Sequence, residues 1–284
     1  MAEYDFEATG AIFERREAIL EDWTPNELVG RDDELQRYHA ALQPVIEREP
    51  PSNVFLYGKS GVGKTAATRF LLDRLEVSAE EVDELTLTTV ELNCDRLNTS
   101  YQAAVALVNA LRDSGNQISN TGYPEASVYE FLFDELDEIG GTILIVLDEV
   151  DHLKDDSLLY QLPRARSNGD ITNARLGVIG ISNKIEWGDE LNSRVLSSLG
   201  NEETVFPPYD ANQLQNILSA RKDAFHDGVL ASEIIPRTAA LAAREHGDAR
   251  KAVRILKNAG KLAEQEGAEQ VQERHVNEAQ KKAE

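Results

Sequence analysis

"NVFLYGKSGVGKTAATRF", residues 53–70, decides the fold. It opens as a short apolar run, passes through a glycine-rich turn, and continues with apolar residues at helical spacing. Residues 58–65, GKSGVGKT, match the phosphate-loop pattern G-x-x-x-x-G-K-[ST] in full. Gly58, Gly61 and Gly63 let backbone N–H groups curl round a phosphate, Gly61 being a glycine beyond the pattern. The N-terminus of the helix that follows adds partial positive charge. Lys64 can reach β- and γ-phosphates, and Thr65 can place its hydroxyl on Mg2+. The candidate ATP/ADP-binding run is therefore Gly58, Lys59, Ser60, Gly61, Val62, Gly63, Lys64, Thr65 and Ala66. A glycine-rich turn that binds nothing is the bland alternative, and the complete motif with both flanks in place disfavours it.

A second stretch, "TILIVLDEVDHL" at 142–153, drives an uninterrupted apolar run into three carboxylates. Acids are costly to bury without partners. In a parallel sheet the carboxyl ends of the strands form one ligand-binding edge. The run delivers Asp148 to that edge, where it suits the Mg2+ shell, usually through water. Glu149 suits polarising an attacking water as general base. Asp151 and His152 are read as the start of the next helix. Cys94 stands alone, so no internal disulfide can form, and it reads as a small apolar residue at a strand end. None of the five histidines falls at a zinc-finger spacing, and no structural metal is expected.

Outward from these motifs the chain alternates. Strand-like runs "NVFLYG", "LTLTTVELNC", the run at 142–148 and "RLGVIGISN" are separated by helical patterns, among them residues 11–22, "TSYQAAVALVNALRDSG" ending at Gly115, and "SVYEFLFDELDEIGG" stopped by Gly140-Gly141. Strands alternating with helices imply an α/β fold with a parallel sheet flanked by helices. After "VFPPYD" the pattern becomes wholly helical. The expected division is a nucleotide-binding base at 1–206, with an N-terminal segment at 1–50, and a small all-α lid at 207–284.

The net charge is −22, with 51 acids against 29 basic residues spread along the whole chain. A dispersed acidic surface suits a salt-rich cytoplasm, where self-repulsion is screened, as in halophilic archaea. Acidity normally argues against nucleic acid as a partner. That argument weakens in molar salt, where phosphate neutralisation yields little affinity for any protein. No signal peptide and no membrane-length apolar run is read, so a cytoplasmic protein without membrane contact is expected.

These features together resemble an AAA+ ATPase, and within that class the archaeal origin-recognition and cell-division-control initiators (the Orc/Cdc-six family). "LVGR" at 28–31, the phosphate loop, "ILIVLDEVDHL", "IGISN", "LNSRVLSSLG", "FPPYDANQLQNIL" and "GDARKAVRIL" carry the resemblance. It implies that Val29 and Arg31 hold the nucleotide base, with Tyr209 at the lid's start among the contacts. It implies that Asn183, as sensor 1, orients the attacking water and contacts the γ-phosphate, and that Arg250, as sensor 2, reaches that phosphate from the lid. It makes Arg194 a candidate arginine finger acting on a neighbour's ATP, a structural role at the sheet–lid junction being the alternative.

The implied activity is slow ATP hydrolysis working as a conformational switch in replication initiation: origin recognition and helicase loading. The implied partners are origin duplex DNA and initiator paralogues or the replicative helicase. The family normally continues into a winged-helix DNA-binding domain. This chain stops at "HVNEAQKKAE", so that domain is expected to be absent, and a regulator or scaffold working through protein partners is the alternative. Arg96 and Arg112 are the basic residues of the region where the family carries a DNA-touching insertion.

Overall fold

The computed structural model describes residues 11–20, 23, 28–200 and 202–283. Two compact units emerge. One holds Asp32–Lys59 and Lys64–Phe206; the other holds the described residues up to Arg31, Ser60–Gly63, and the chain from Pro207 onward. The residues before Asp32 thus fall with the helical unit, whereas the sequence pattern placed them with the sheet.

The first unit is built on five parallel strands: β1 (Val54–Tyr57), β2 (Leu87–Asn93), β3 (Gly141–Asp148), β4 (Ala174–Ser182) and β5 (Glu202–Val205), in the order β2-β3-β4-β1-β5. Alternation along β3 splits its side chains between the two faces. Ile143, Ile145 and Leu147 join the core made with α3 (Ser100–Leu111), α4 (Glu125–Ile139) and α5 (Ser157–Asn168). Leu144 and Val146 are equally buried but lie outside that cluster. Helices α1 (Asp32–Ile46) and α2 (Lys64–Glu80) pack together and touch β5 and β2 respectively. Burial on both faces explains why these strands read as continuous apolar runs. Two short helices, α6 (Trp187–Glu190) and α7 (Ser193–Leu199), lead into β5.

Three elements depart from the sequence pattern. Residues 11–22 are not one helix: Phe13 forms an isolated antiparallel bridge with Phe225, and a single 3-10 turn spans Arg16–Ile19, while 21 and 22 lie outside the described residues. Helix α3 stops at Leu111, four residues before Gly115, because Arg112 is already extended at φ −93°, ψ 148°. Strand β5 was not read as a strand at all; its Glu202 and Glu203 are exposed, and it pairs with β1 alone.

The second unit packs α8 (Ala211–Ser219), α9 (Ile234–Glu245), α10 (Ala249–Gln265) and α11 (Glu273–Ala283) round one apolar core. A capping box at Asp210 and Gln213 starts α8, and Asp248 caps α10 by accepting from the Lys251 N–H. Phe13 and Phe225 lie with ring centroids 4.9 Å apart over Gly260, where a Cβ would meet Phe13 at 2.5 Å. Arg221 donates to the carbonyls of Ala18, Leu20 and Trp23 at 3.0–3.2 Å. Burial lowers its guanidinium to about 10.

Candidate nucleotide-binding site

In the sheet unit the register does the positioning. Tyr57 pairs with Ser182, and Asp148 with Ile181 and Asn93. The strand ends therefore bring Gly58, Lys64, Asp148, Glu149 and Asn183 to one edge of the sheet. Lys64 is 5% exposed, and its ammonium donates to the Gly58 carbonyl at 2.5 Å, the Lys59 carbonyl at 2.9 Å and Asn183 Oδ1 at 3.0 Å. The Thr65 hydroxyl donates to Asp148 Oδ2 at 2.9 Å, and Asp148 Oδ1 accepts from the Glu149 N–H at 2.9 Å. An amine, a hydroxyl, a carboxylate and a carboxamide thus meet where β1, β3 and β4 end.

Glu149 sits in the left-handed region at φ 56°, ψ 39°. A non-glycine residue there costs on the order of 1–3 kcal/mol, a strain that clusters at working sites. The carboxylate lies 3.9 Å from His152 Nε2, and Asp95, Glu149 and His152 have ligand atoms within 4.8 Å of one another. Those three could hold a divalent ion, although two of them are exposed. Cys94 donates its backbone N–H to the Asp148 carbonyl at 2.8 Å. Its thiol is buried and is pushed up to about 12, first by burial and then by Asp148, Glu149 and Asp151, which removes thiolate chemistry.

Asp151, read from the sequence as part of a helix start, is covered. Its side chain is 3% exposed, within a 3-10 turn at Val150–His152. Oδ1 accepts from the Asn183 N–H at 3.0 Å, and Oδ2 lies 3.7 Å from Lys184 Nζ. No local pattern announces this partner, because Asn183 lies 32 residues downstream.

The phosphate loop's tip, Ser60–Gly63, is grouped with the helical unit. Gly61 at φ +77° faces Asp248, whose carboxylate a Cβ would strike, and Gly63 at φ +94° faces the Tyr209 hydroxyl in the same way. The Ala249 N–H donates to the Gly61 carbonyl at 2.9 Å. The additional glycine at 61 therefore has a local cause. Within the sheet unit, the Lys64 amine beside Asn183 and the Thr65 hydroxyl beside Asp148 fit a polyphosphate with a divalent ion.

Arg31 is 1% exposed. It donates to the Val62 carbonyl at 3.0 Å and the Pro207 carbonyl at 2.6 Å, and lies 3.6 Å over the Tyr209 ring. Its guanidinium and the Tyr209 ring are committed to each other and to the backbone, so both support the loop. Val29 is half-buried, and neighbouring Gly30 accepts from Gln213 at 3.1 Å. Arg250 and Arg194 are exposed, and neither side chain has a hydrogen-bond or ion-pair partner among the described residues. Ser60 and Lys59 are exposed, and Val62 and Ala66 are covered to differing degrees. Arg112 is engaged, donating to Glu135 at 2.5 Å beside the Phe131 ring.

Residues 27–171 match the AAA ATPase domain family and residues 215–281 match the Cdc6 AAA+ ATPase-type lid domain. ORC1-type DNA replication protein 11 of Haloarcula marismortui is 54% identical over 96% of this chain and 66% of its own length. ORC1-type DNA replication protein 10 of Halobacterium salinarum is 49% identical over 98% and 68%. The chain belongs to the ORC1-type DNA replication proteins. It spans about two thirds of the length of these curated relatives. The Aeropyrum pernix ORC1 protein, solved in complex with DNA, superposes with a TM-score of 0.85 at 39% identity, covering 98% of this chain and 71% of that one. The AAA+ fold and the α/β architecture are thereby those of archaeal ORC1-type proteins. Among the described residues no helix is long and apolar enough to cross a membrane.

Proposed function

We propose that this ORC1-type protein is an ATP-dependent replication initiator that binds ATP with Mg2+ and hydrolyses it slowly as a conformational switch. The observation that carries the reading is the convergence of Lys64, Asn183, Thr65 and Asp148 within 3.0 Å hydrogen bonds at the ends of β1, β3 and β4. Magnesium, when bound, would neutralise charge on the β- and γ-phosphates, held by Thr65 and Asp148. Lys64 exchanges its carbonyl partners for phosphate oxygens. Glu149 accepts the proton of the attacking water, and Asn183 orients that water with its carboxamide. Arg250 is the lid's contact to the γ-phosphate, and Arg194 acts on the ATP of a neighbouring subunit. The sheet unit serves as base and the helical unit, from Pro207 onward, as lid, and the nucleotide state shifts the population of lid conformations.

The target of the switch is origin duplex DNA, with initiator paralogues or the replicative helicase as further partners. The superposition on an ORC1 protein solved with DNA supports this reading. A second reading, a regulator acting through protein partners alone, is favoured by the net charge of −22 and by Arg112's engagement with Glu135. Duplex-DNA anisotropy in molar KCl, with ATP and separately with ADP, decides between them. Nucleotide-dependent binding supports the initiator; no binding in either state supports the regulator.

A further inference from the structure

The ladder between the central strands ends at Ser182, the last residue of β4, so the N–H of Asn183 has no strand partner. Yet Asn183 must hold a fixed place, because its Oδ1 accepts from Lys64 Nζ at 3.0 Å. The group that replaces the missing strand partner is the carboxylate of Asp151, at 3.0 Å from the Asn183 N–H. Burying a carboxylate costs several kcal/mol unless hydrogen bonds and opposite charge offset it. Asp151 receives both, from the Asn183 backbone and from Lys184 Nζ at 3.7 Å.

The turn that carries Asp151 begins at Glu149 and is closed by the His152 N–H on the Glu149 carbonyl at 3.0 Å. On the other side, the Ser182 hydroxyl donates to the Lys184 carbonyl and accepts from the Lys184 N–H, both at 3.0 Å. Asp151 is therefore the one side chain among the described residues seen to bond the turn after β3 directly to the Asn183 backbone. We propose that Asp151 is a positioning residue for hydrolysis, holding Asn183, and through it the carboxamide beside Lys64, at a fixed offset from Glu149. This rests on the ATPase reading above.

Displacing a reactive group by about 1 Å can cost roughly 100-fold in rate. The expected result for Asp151→Ala is a single-turnover hydrolysis rate lowered about 10- to 100-fold, with ATP affinity within about threefold of wild type. Asp151→Asn keeps an oxygen acceptor and recovers most of the rate. Asp151→Leu fills the space without an acceptor, and it carries the test if the alanine variant does not fold.

Two readouts separate positioning from general structural damage. In an Asn183→Ala background, Asp151→Ala lowers the rate by no more than about twofold, because residues acting as a unit are non-additive. Hydrogen exchange of the Asn183 amide, measured without nucleotide, is accelerated in Asp151→Ala and Asp151→Leu and stays slow in Asp151→Asn. Wild-type rates in Asp151→Ala and Asp151→Leu, losses that multiply in the double variant, or an unchanged Asn183 amide overturn the proposal. A wild-type chain that hydrolyses no ATP overturns the ATPase reading and this role with it, while the amide exchange still reports on the Asp151–Asn183 bond.

Discussion

Removing the guanidinium of Arg31 should unfasten the phosphate loop from its support. In Arg31→Met the alkyl stem is retained, but two hydrogen bonds disappear, to Val62 and Pro207, together with the stacking on Tyr209. Hydrogen bonds from a charged donor contribute about 1.5–3 kcal/mol each, and a desolvated cation–π contact about 2 kcal/mol. Contacts that share one side chain are not additive, so a loss of about 3–6 kcal/mol is expected, a large part of a typical stability of 5–15 kcal/mol. With a urea m-value of about 2–3 kcal/mol/M for a chain of this size, the midpoint falls by about 1–3 M. Arg31→Lys keeps the charge but not the fork, and should lose about half as much. The assay is urea unfolding in molar KCl, read by tryptophan fluorescence in a Trp187→Phe background. Trp23 then reports, and it lies in the same compact unit as Arg31. A midpoint for Arg31→Met within about 0.3 M of its parent would show that the buried guanidinium contributes nothing, and the account of Arg31 as a structural clamp would fail.

Three further outcomes follow from particular contacts. Gly61→Ala should weaken ATP and ADP binding at least tenfold by calorimetry, since the new Cβ meets the Asp248 carboxylate at a residue with φ +77°. Cys94 should resist a thiol-specific disulfide reagent at pH 8 in the folded chain and react at once in urea, being buried with its thiol pushed up to about 12. Asp137 gives a pH signature. Burial raises its pKa, but the N–H groups of Thr172, Asn173 and Ala174 and the Thr172 hydroxyl outweigh that and hold it below the usual range. A folded-state pKa below the unfolded value of about 3.9 means stability present above that pH and lost as pH falls through the folded pKa. Asp137→Ala should therefore unfold at lower urea than wild type near neutrality, and the two curves should converge below about pH 4.

What the sequence made legible was local. The phosphate loop declares itself because its backbone geometry demands glycines at fixed spacing, and β3 because a strand covered on both faces must be apolar throughout. Asp148 and Glu149 follow from the end of that strand. What stayed hidden was tertiary. Nothing local to Arg31 announces its hold on the loop, because one of its acceptors lies 176 residues away, at Pro207. Arg221 is an ordinary basic residue in a polar run until the carbonyls of Ala18, Leu20 and Trp23 fold over it. Asp151 looks like a solvated acid beside two others, and only the parallel register of β3 and β4 brings it to Asn183. Strand β5 was missed because half its residues are glutamates, tolerable on an edge paired from one side.

The most direct test of the nucleotide switch is single-turnover hydrolysis of radiolabelled ATP in molar KCl by the wild-type chain and by Glu149→Gln, with ATP affinity measured alongside. Loss of a general base lowers rates by about 10²–10⁴-fold. The wild-type chain should turn over slowly, and Glu149→Gln should fall by at least about 100-fold while binding ATP within about threefold of wild type. Equal hydrolysis by the two proteins, or a wild-type chain that binds no ATP, would contradict the account.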